Sequence, residues 1–278
     1  MTILCLHGAY GSAAVSHSIP GHLLNPTAQR SQNFKVQLGP FVDAIEKPGS
    51  INFRWIDGGH SAAPPLGFDN YFGTPPLYRF INFDGVSGLD DMLARVRELP
   101  EGLTAEDTMR RLVGEREMFS GPAVKSALDR LFEILEEDSE IDMVVGLYRL
   151  TRQGILGYSE GATTAATLIL EEARRWKEVG RPRRIKYAIF FAGWPPVRLR
   201  DGSVECLLAD ECDNVIDVPT CHIVGCSDPY IHGALALFGM CDEDTAMLFD
   251  HGKGHTVPRD ARTIQELTSA IERTWLRI

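Results

Sequence analysis

The residues best suited to chemistry lie at 157–161, where the sequence G-Y-S-E-G has the form G-x-S-x-G. A serine hydroxyl becomes a nucleophile when a neighbouring base removes its proton. Glycines on both sides allow the strained turn from a strand into a helix that exposes such a serine. Apolar residues precede this motif and an alanine-rich stretch follows it. The context therefore predicts that Ser159 is a nucleophile at the start of a helix.

Two later loops carry the side chains that this serine needs. His255 lies on a glycine-rich loop before the last predicted helix, and Asp228 follows a buried apolar strand. We expect His255 to act as the general base and Asp228 to orient its ring. His251 lies on the same loop and is the alternative base.

The loop after the first predicted strand could stabilise negative charge on a substrate oxygen through its backbone N–H groups. We expect Ala9 to donate one N–H, with Tyr10 as the alternative. Glu160 would donate the other from the start of the helix, where the helix dipole also favours an anion. His7 comes early in the chain, and we expect it to brace the loop rather than to act as the base.

Strands and helices alternate along the chain, which favours an α/β fold with a mostly parallel sheet and helices on both faces. Predicted strands cover residues 2–6, 51–56, 185–191, 221–225 and 246–249, and predicted helices cover 34–45, 124–135, 161–179 and 260–276. Two stretches compete for the strand before the serine, residues 143–145 and 155–157.

The order of Ser159, Asp228 and His255 along the chain is that of the α/β-hydrolase fold. Each also follows a predicted strand, and open α/β sheets place their sites at the carboxyl ends of the strands. No glycine-, serine- or proline-rich linker divides the chain, so we expect residues 1–278 to form a single α/β-hydrolase domain.

Residues 58–120 show no regular pattern and are predicted to form a loop or lid insertion. Within them, six of the sixteen residues from 68 to 83 are aromatic. Such side chains can line a substrate pocket, or they can simply pack the loop onto the core. The candidate pocket residues are Phe72, Tyr78 and Phe80, and the sequence leaves both interpretations open.

Composition narrows the choice of partners. The 278 residues carry a formal net charge of −10, which argues against a nucleic-acid or anionic-membrane surface. No apolar run reaches the length that a membrane span requires. The six cysteines include no C-x-x-C pair, and the N-terminus lacks the pattern of a signal peptide, so we expect reduced thiols and a cytoplasmic location.

Four short motifs together resemble the fungal family of serine hydrolases (FSH type), which also contains relatives of the ovarian-cancer-associated serine hydrolase. They are L-H-G at 6–8, G-Y-S-E-G-A at 157–162, G-x-x-D at 225–228 and G-H-x-V-P at 254–258. The resemblance implies an α/β-hydrolase fold with no metal or organic cofactor. It also implies esterase activity, with Ser159, Asp228 and His255 as the triad.

Several fungal members of that family hydrolyse the thioester that holds a polyketide product on its acyl carrier protein. The resemblance therefore suggests an acyl thioester or ester as substrate and an acyl carrier protein as partner. A general short-chain carboxylesterase, an acyl transferase or cyclase, and a non-catalytic binding protein are the alternatives. The intact Ser–Asp–His set argues against the last of these.

Two stretches depart from the family pattern, residues 14–30 and 147–153. A strand in a sheet cannot absorb extra residues without turning its inward face outward, whereas a loop absorbs them at low cost. We therefore expect both stretches to be surface loops or short helices.

Overall fold

The computed structural model describes residues 1–13, 34–45, 51–64, 72, 75–81, 102–113, 119–144, 153–213 and 215–275. Its strands, in chain order, are β1 (Thr2–Leu6), β2 (Asn52–Ile56), β3 (His60–Ala62), β4 (Leu77–Arg79), β5 (Gln153–Tyr158), β6 (Ile185–Phe191), β7 (Val197–Arg200), β8 (Ser203–Cys206), β9 (Thr220–Val224) and β10 (Ala246–Asp250). Its helices are α1 (Phe34–Ile45), α2 (Ala105–Val113), α3 (Gly121–Val144), α4 (Glu160–Val179), α5 (Ile231–Gly239) and α6 (Ala261–Trp275).

Six strands form the central sheet in the order β10-β9-β6-β5-β1-β2, and every neighbouring pair is parallel. Two short antiparallel pairs, β3–β4 and β7–β8, lie outside it. β5 and β1 are parallel neighbours inside this sheet, so their carboxyl ends, and the loops that follow them, lie side by side. The predicted α/β-hydrolase architecture is confirmed.

The two faces of the sheet bury different helices because side chains alternate along each strand. In β1, Leu4 and Leu6 pack into a core shared with α3 and α4. Ile3 and Cys5 point the other way, into a core shared with α1 and α6. Both faces of β1 are therefore apolar, as expected for a parallel strand covered on both sides.

The predicted strands and helices are present. Most bounds shift by one residue or none, whereas the helix predicted at 124–135 extends from Gly121 to Val144. Of the two competing stretches, residues 155–157 form part of β5, whereas Met143 and Val144 end the long helix α3. Residues 14–30 and 147–152 lie outside the described residues. Gln153 is the first residue of β5 and its side chain is buried, so the expected surface position is wrong for this residue.

The predicted insertion at residues 58–120 contains more regular structure than expected. Its described parts include β3, β4 and α2. The two strands are only three residues long each, which is too short for alternation to be recognised in the sequence. Within the described ranges, no helix combines the length and apolar character that crossing a bilayer needs.

Candidate active site

Ser159 occupies a strained turn between β5 and α4. Its backbone φ is 52° and its ψ is −118°, an unfavourable combination for a residue with a side chain. A Cβ on Gly157 would lie 2.4 Å from the carbonyl oxygen of Gly161, and one on Gly161 would lie 2.3 Å from that of Leu6. Only glycine fits at either position, which is the steric reason expected for the G-x-S-x-G motif.

The side chains of Ser159, His255 and Asp228 form a continuous hydrogen-bonded chain. His255 Nε2 lies 3.2 Å from Ser159 Oγ, and His255 Nδ1 lies 2.8 Å from Asp228 Oδ2. A carboxylate can only accept, so Nδ1–H donates to Asp228 and Nε2 is left to accept from the serine hydroxyl. This arrangement can remove the Ser159 proton and stabilise the imidazolium that results.

Asp228 is fixed by its own loop after β9. Its carboxyl group is almost fully buried, with 2% of the side chain exposed. Oδ1 accepts a hydrogen bond of 2.8 Å from the backbone N–H of Tyr230, which leaves Oδ2 directed at His255.

Two tyrosine rings hold the imidazole of His255. The ring centroids of Tyr158 and Tyr230 lie 5.3 Å and 5.0 Å from that of His255. The Tyr158 hydroxyl also donates to the backbone carbonyl of His255, at 3.2 Å. These contacts restrict the rotation of a side chain that is otherwise carried by a loop.

His251, the alternative base, lies beside Gly225. A Cβ on Gly225 would come within 2.8 Å of His251 Cε1. Its Nδ1 accepts a hydrogen bond from the backbone N–H of Lys253. Burial lowers the pKa of His251, partly offset by the charge of Asp250. The structure thus places His255, not His251, between Ser159 and Asp228.

The loop after β1 lies against Ser159. The N–H of Gly11 donates to the carbonyl of Gly8 at 3.1 Å and closes a turn over Ala9 and Tyr10. A Cβ on Gly8 would lie 3.4 Å from that of Ser159, so the turn begins beside the Ser159 side chain. Tyr10 has a φ of 57°. The N–H groups of Ala9, Tyr10 and Glu160 remain the predicted donors.

His7 braces this loop, as the sequence predicted. Its Nδ1 lies 2.7 Å from the carbonyl oxygen of Gly8, and its Nε2 accepts from the N–H of Gly58 at 3.0 Å. Burial lowers the pKa of His7, which suits a neutral ring that donates from one nitrogen and accepts at the other.

The three candidate pocket residues occupy different surroundings. Phe72 is partly exposed, and its ring lies 4.8 Å from that of Tyr10. Tyr78 lies in β4 and is also partly exposed. Phe80 is 2% exposed and packs on His7 in the main core, so it has almost no surface to offer a substrate. Of the three, Phe72 is therefore the best placed to contact a substrate, because it is partly exposed and lies beside Tyr10.

An apolar cluster that the sequence did not reveal includes Tyr10. Its buried members come from β4, α2, α5 and the loop after β8, and its partly buried members include Ala9, Phe72 and Trp194. These residues are distant from one another in the sequence, and no local pattern marks them as neighbours.

Arg79 was also missed. It forms a buried ion pair with Glu160, the residue after the serine. The one feature of the sequence that could have drawn attention to Arg79 is its position as a charged residue between two aromatic residues, Tyr78 and Phe80.

Several known proteins are similar to this chain. Over 278 residues the chain is 26% identical to "Esterase FPY3" of Fusarium mangiferae, covering 98% of this chain and 96% of that protein. It is 25% identical to "Hydrolase phiM" of a fungal species, covering 100% and 97%. The crystal structure of a carboxylesterase from Mesorhizobium loti superposes with a TM-score of 0.50 at 14% identity, covering 99% of this chain and 88% of that one. The profile of the family described as serine hydrolase (FSH1) matches residues 1–267. The chain belongs to this serine hydrolase family.

Proposed function

We propose that this serine hydrolase cleaves acyl thioesters or esters through an acyl intermediate on Ser159. The observation that carries the proposal is the position of His255, within hydrogen-bonding distance of both Ser159 Oγ and Asp228 Oδ2. The names of the relatives FPY3 and phiM, an esterase and a hydrolase, support the reaction type.

In the first half of the reaction, Ser159 Oγ attacks the carbonyl carbon of the substrate while His255 Nε2 takes the hydroxyl proton. The carbonyl oxygen becomes an oxyanion, which the N–H groups of Glu160 and of Ala9 or Tyr10 stabilise. When the tetrahedral intermediate collapses, the bond to the leaving group breaks. The thiolate or alkoxide that departs takes the proton from His255, and the acyl group stays on Ser159.

In the second half, water replaces the leaving group. His255 Nε2 takes a proton from the water as its oxygen attacks the acyl carbon, and the same N–H groups bind the second oxyanion. The bond to Ser159 Oγ then breaks, the proton returns to the serine, and the carboxylic acid leaves. Asp228 remains ionised throughout and stabilises the imidazolium.

For the acyl group, we propose a chain longer than acetyl, lying on the apolar cluster around Tyr10. Phe72, Ala9 and Trp194 are partly exposed members of that cluster. Ala9 and Tyr10 follow Gly8, whose backbone lies beside the Ser159 side chain. Burial of each methylene would contribute about 0.8 kcal/mol. The finer proposal, release of a polyketide-type product from an acyl carrier protein, rests on the resemblance to fungal members of the family.

The test compares kcat/KM across N-acetylcysteamine thioesters from acetyl to dodecanoyl with matching p-nitrophenyl esters. We expect efficiency on thioesters to rise steeply with chain length. A preference for acetyl or butyryl oxygen esters would instead assign the protein as a short-chain carboxylesterase.

A further inference from the structure

A buried ion pair joins Arg79 of β4 to Glu160, the residue after Ser159, and the two side chains are 4% and 6% exposed. Arg79 Nε donates to Glu160 Oε2 at 2.7 Å, and Arg79 Nη2 donates to the same oxygen. Oε1 accepts from the backbone N–H of Phe80 at 2.8 Å and from that of Ile81 at 3.2 Å. A buried carboxylate with this many donors is fully compensated, and its position is fixed.

The same short strand also holds the loop after β1. The backbone N–H of Tyr78 donates to the carbonyl of Gly11 at 2.9 Å. The guanidinium of Arg79 lies over the ring of Tyr10, 5.2 Å from its centroid. Residues 78–81 therefore contact both segments that supply the predicted oxyanion donors, the loop at 8–11 and the turn at Ser159.

Both segments need support, because each contains a non-glycine residue with positive φ. Tyr10 has a φ of 57° and Ser159 a φ of 52°. Such conformations persist only where the surroundings hold them. The β1–β5 ladder sets the distance between the two segments where they begin, at Leu6 and Gly157, but the donor N–H groups lie beyond its last pair. A charged pair that is bonded to one segment and stacked on the other can set their distance there.

We propose that the Arg79–Glu160 pair is a positioning device that sets the spacing of the two oxyanion donors. The proposal rests on the proposed acyl transfer to Ser159. Because the pair carries no net charge, it acts through geometry rather than through attraction to the substrate. Glu160 then has two separate tasks: its N–H faces the oxyanion, and its carboxylate anchors that N–H to β4.

The kinetic consequence follows from when the oxyanion exists. The negative oxygen is present in the transition state and absent from the bound substrate, so misplaced donors lower kcat and leave KM nearly unchanged. Loss of one oxyanion donor costs about 10²–10³-fold in kcat, and a misplacement of about 1 Å can cost 10²-fold. We therefore expect a loss of about 10- to 100-fold.

The test uses three variants of the whole chain. Arg79→Lys keeps the charge but loses the two parallel N–H groups. Arg79→Gln removes the charge, and the double variant Arg79→Gln/Glu160→Gln removes both charges and leaves two amides that can bond to each other. Arg183→Gln is the control, because Arg183 makes a two-bond ion pair with Asp217 beside the amino ends of β6 and β9, at the other end of the strands from Ser159. Each kcat is divided by the amount of serine that a fluorophosphonate titrates, so unfolded protein does not count.

We expect kcat per titrated serine to fall about 10- to 100-fold in Arg79→Gln and in the double variant, and less in Arg79→Lys, with KM within about twofold of wild type. Arg183→Gln should lower the melting temperature and keep kcat. If Arg79→Gln yields no folded protein, the kcat values of the double variant and of Arg79→Lys test whether the ion pair positions the oxyanion donors.

The proposal is overturned if the folded variants keep the wild-type kcat per titrated serine while only their melting temperature falls, or if KM alone changes. This failure is distinct from failure of the proposed function. The latter would appear as full activity in Ser159→Ala, whatever the Arg79 variants do.

Discussion

The backbone at Gly161 touches the backbone at Leu6: a Cβ on Gly161 would lie 2.3 Å from the Leu6 carbonyl oxygen. The first turn of α4 thus packs directly on the end of β1. This contact brings the loop after β1 beside Ser159, and it depends on the absence of a side chain at one position.

We predict that Gly161→Ala destabilises the fold by about 1–3 kcal/mol and lowers activity, because the new methyl group forces β1 and α4 apart. The control is Gly59→Ala, whose Cβ would meet its nearest neighbour, Arg130, at an ordinary 3.6 Å. Urea unfolding and ester hydrolysis measure both effects. Equal behaviour of the two variants would contradict the steric account of the motif.

The two histidines of the loop after β10 should differ sharply in their contribution to catalysis. We expect His255→Ala to lower kcat by about 10³-fold or more, because it removes the proposed base, which lies within hydrogen-bonding distance of Ser159 Oγ. His251→Ala should change kcat only a few-fold, since His251 lies beside Gly225. Steady-state kinetics on one thioester gives both values. A larger loss in His251→Ala would exchange the two assignments.

The parts of the site that the sequence predicted are those with a local signature. The glycines around Ser159 are required by contacts of their own backbone, and Asp228 and His255 follow strands that apolar runs reveal. The parallel sheet follows from the alternation of strands and helices. Each of these features leaves a local pattern in the sequence, a short motif or an apolar run, even where the contact behind it is with a distant residue.

The features that the sequence missed depend on residues distant from one another in the chain. Arg79 is identified only by its contact with Glu160, and Trp194 only by its packing against the apolar cluster that includes Tyr10. Phe80 was named as a pocket residue and instead lies in the core, because an aromatic residue in a pocket wall and one in a core look alike in a sequence. Burial separates them.

The buried histidine His222 should make stability fall in acid. Its Nε2 lies 3.1 Å from Thr220 Oγ1 and 3.3 Å from Cys241 Sγ, and burial lowers its pKa from 6.5 to about 3. At a pH between these two pKa values, His222 is protonated in the unfolded chain and neutral in the folded chain. The free energy of unfolding therefore falls as pH decreases below about 6.5, by about 1.4 kcal/mol per pH unit from this residue.

The measurement is the free energy of urea unfolding from pH 8 to pH 4 for wild type and for His222→Gln, which cannot titrate. The buried His7 adds the same dependence to both proteins and cancels in the difference. We expect the free energy of unfolding of wild type, relative to that of His222→Gln, to decrease as the pH falls. A difference that stays constant would show that His222 is not the group responsible.

Phe72 should influence which acyl chains are accepted. We predict that Phe72→Ala lowers kcat/KM for long-chain thioesters by about tenfold and leaves acetyl thioesters nearly unchanged, because it removes apolar surface beside Tyr10. Phe80→Ala is the control: it opens a cavity in the core and should cost about 3–5 kcal/mol of stability without altering the chain-length preference. If the two variants shift the preference equally, the acyl chain does not lie on Phe72.

The most direct test of the whole account is the intact mass of the protein after reaction with a fluorophosphonate. Ser159 Oγ should displace fluoride from phosphorus, so wild type should gain the mass of one phosphonyl group, located on the peptide that contains Ser159. Ser159→Ala should gain none. Equal modification of both proteins, or a label on another residue, would contradict the assignment of Ser159 as the nucleophile.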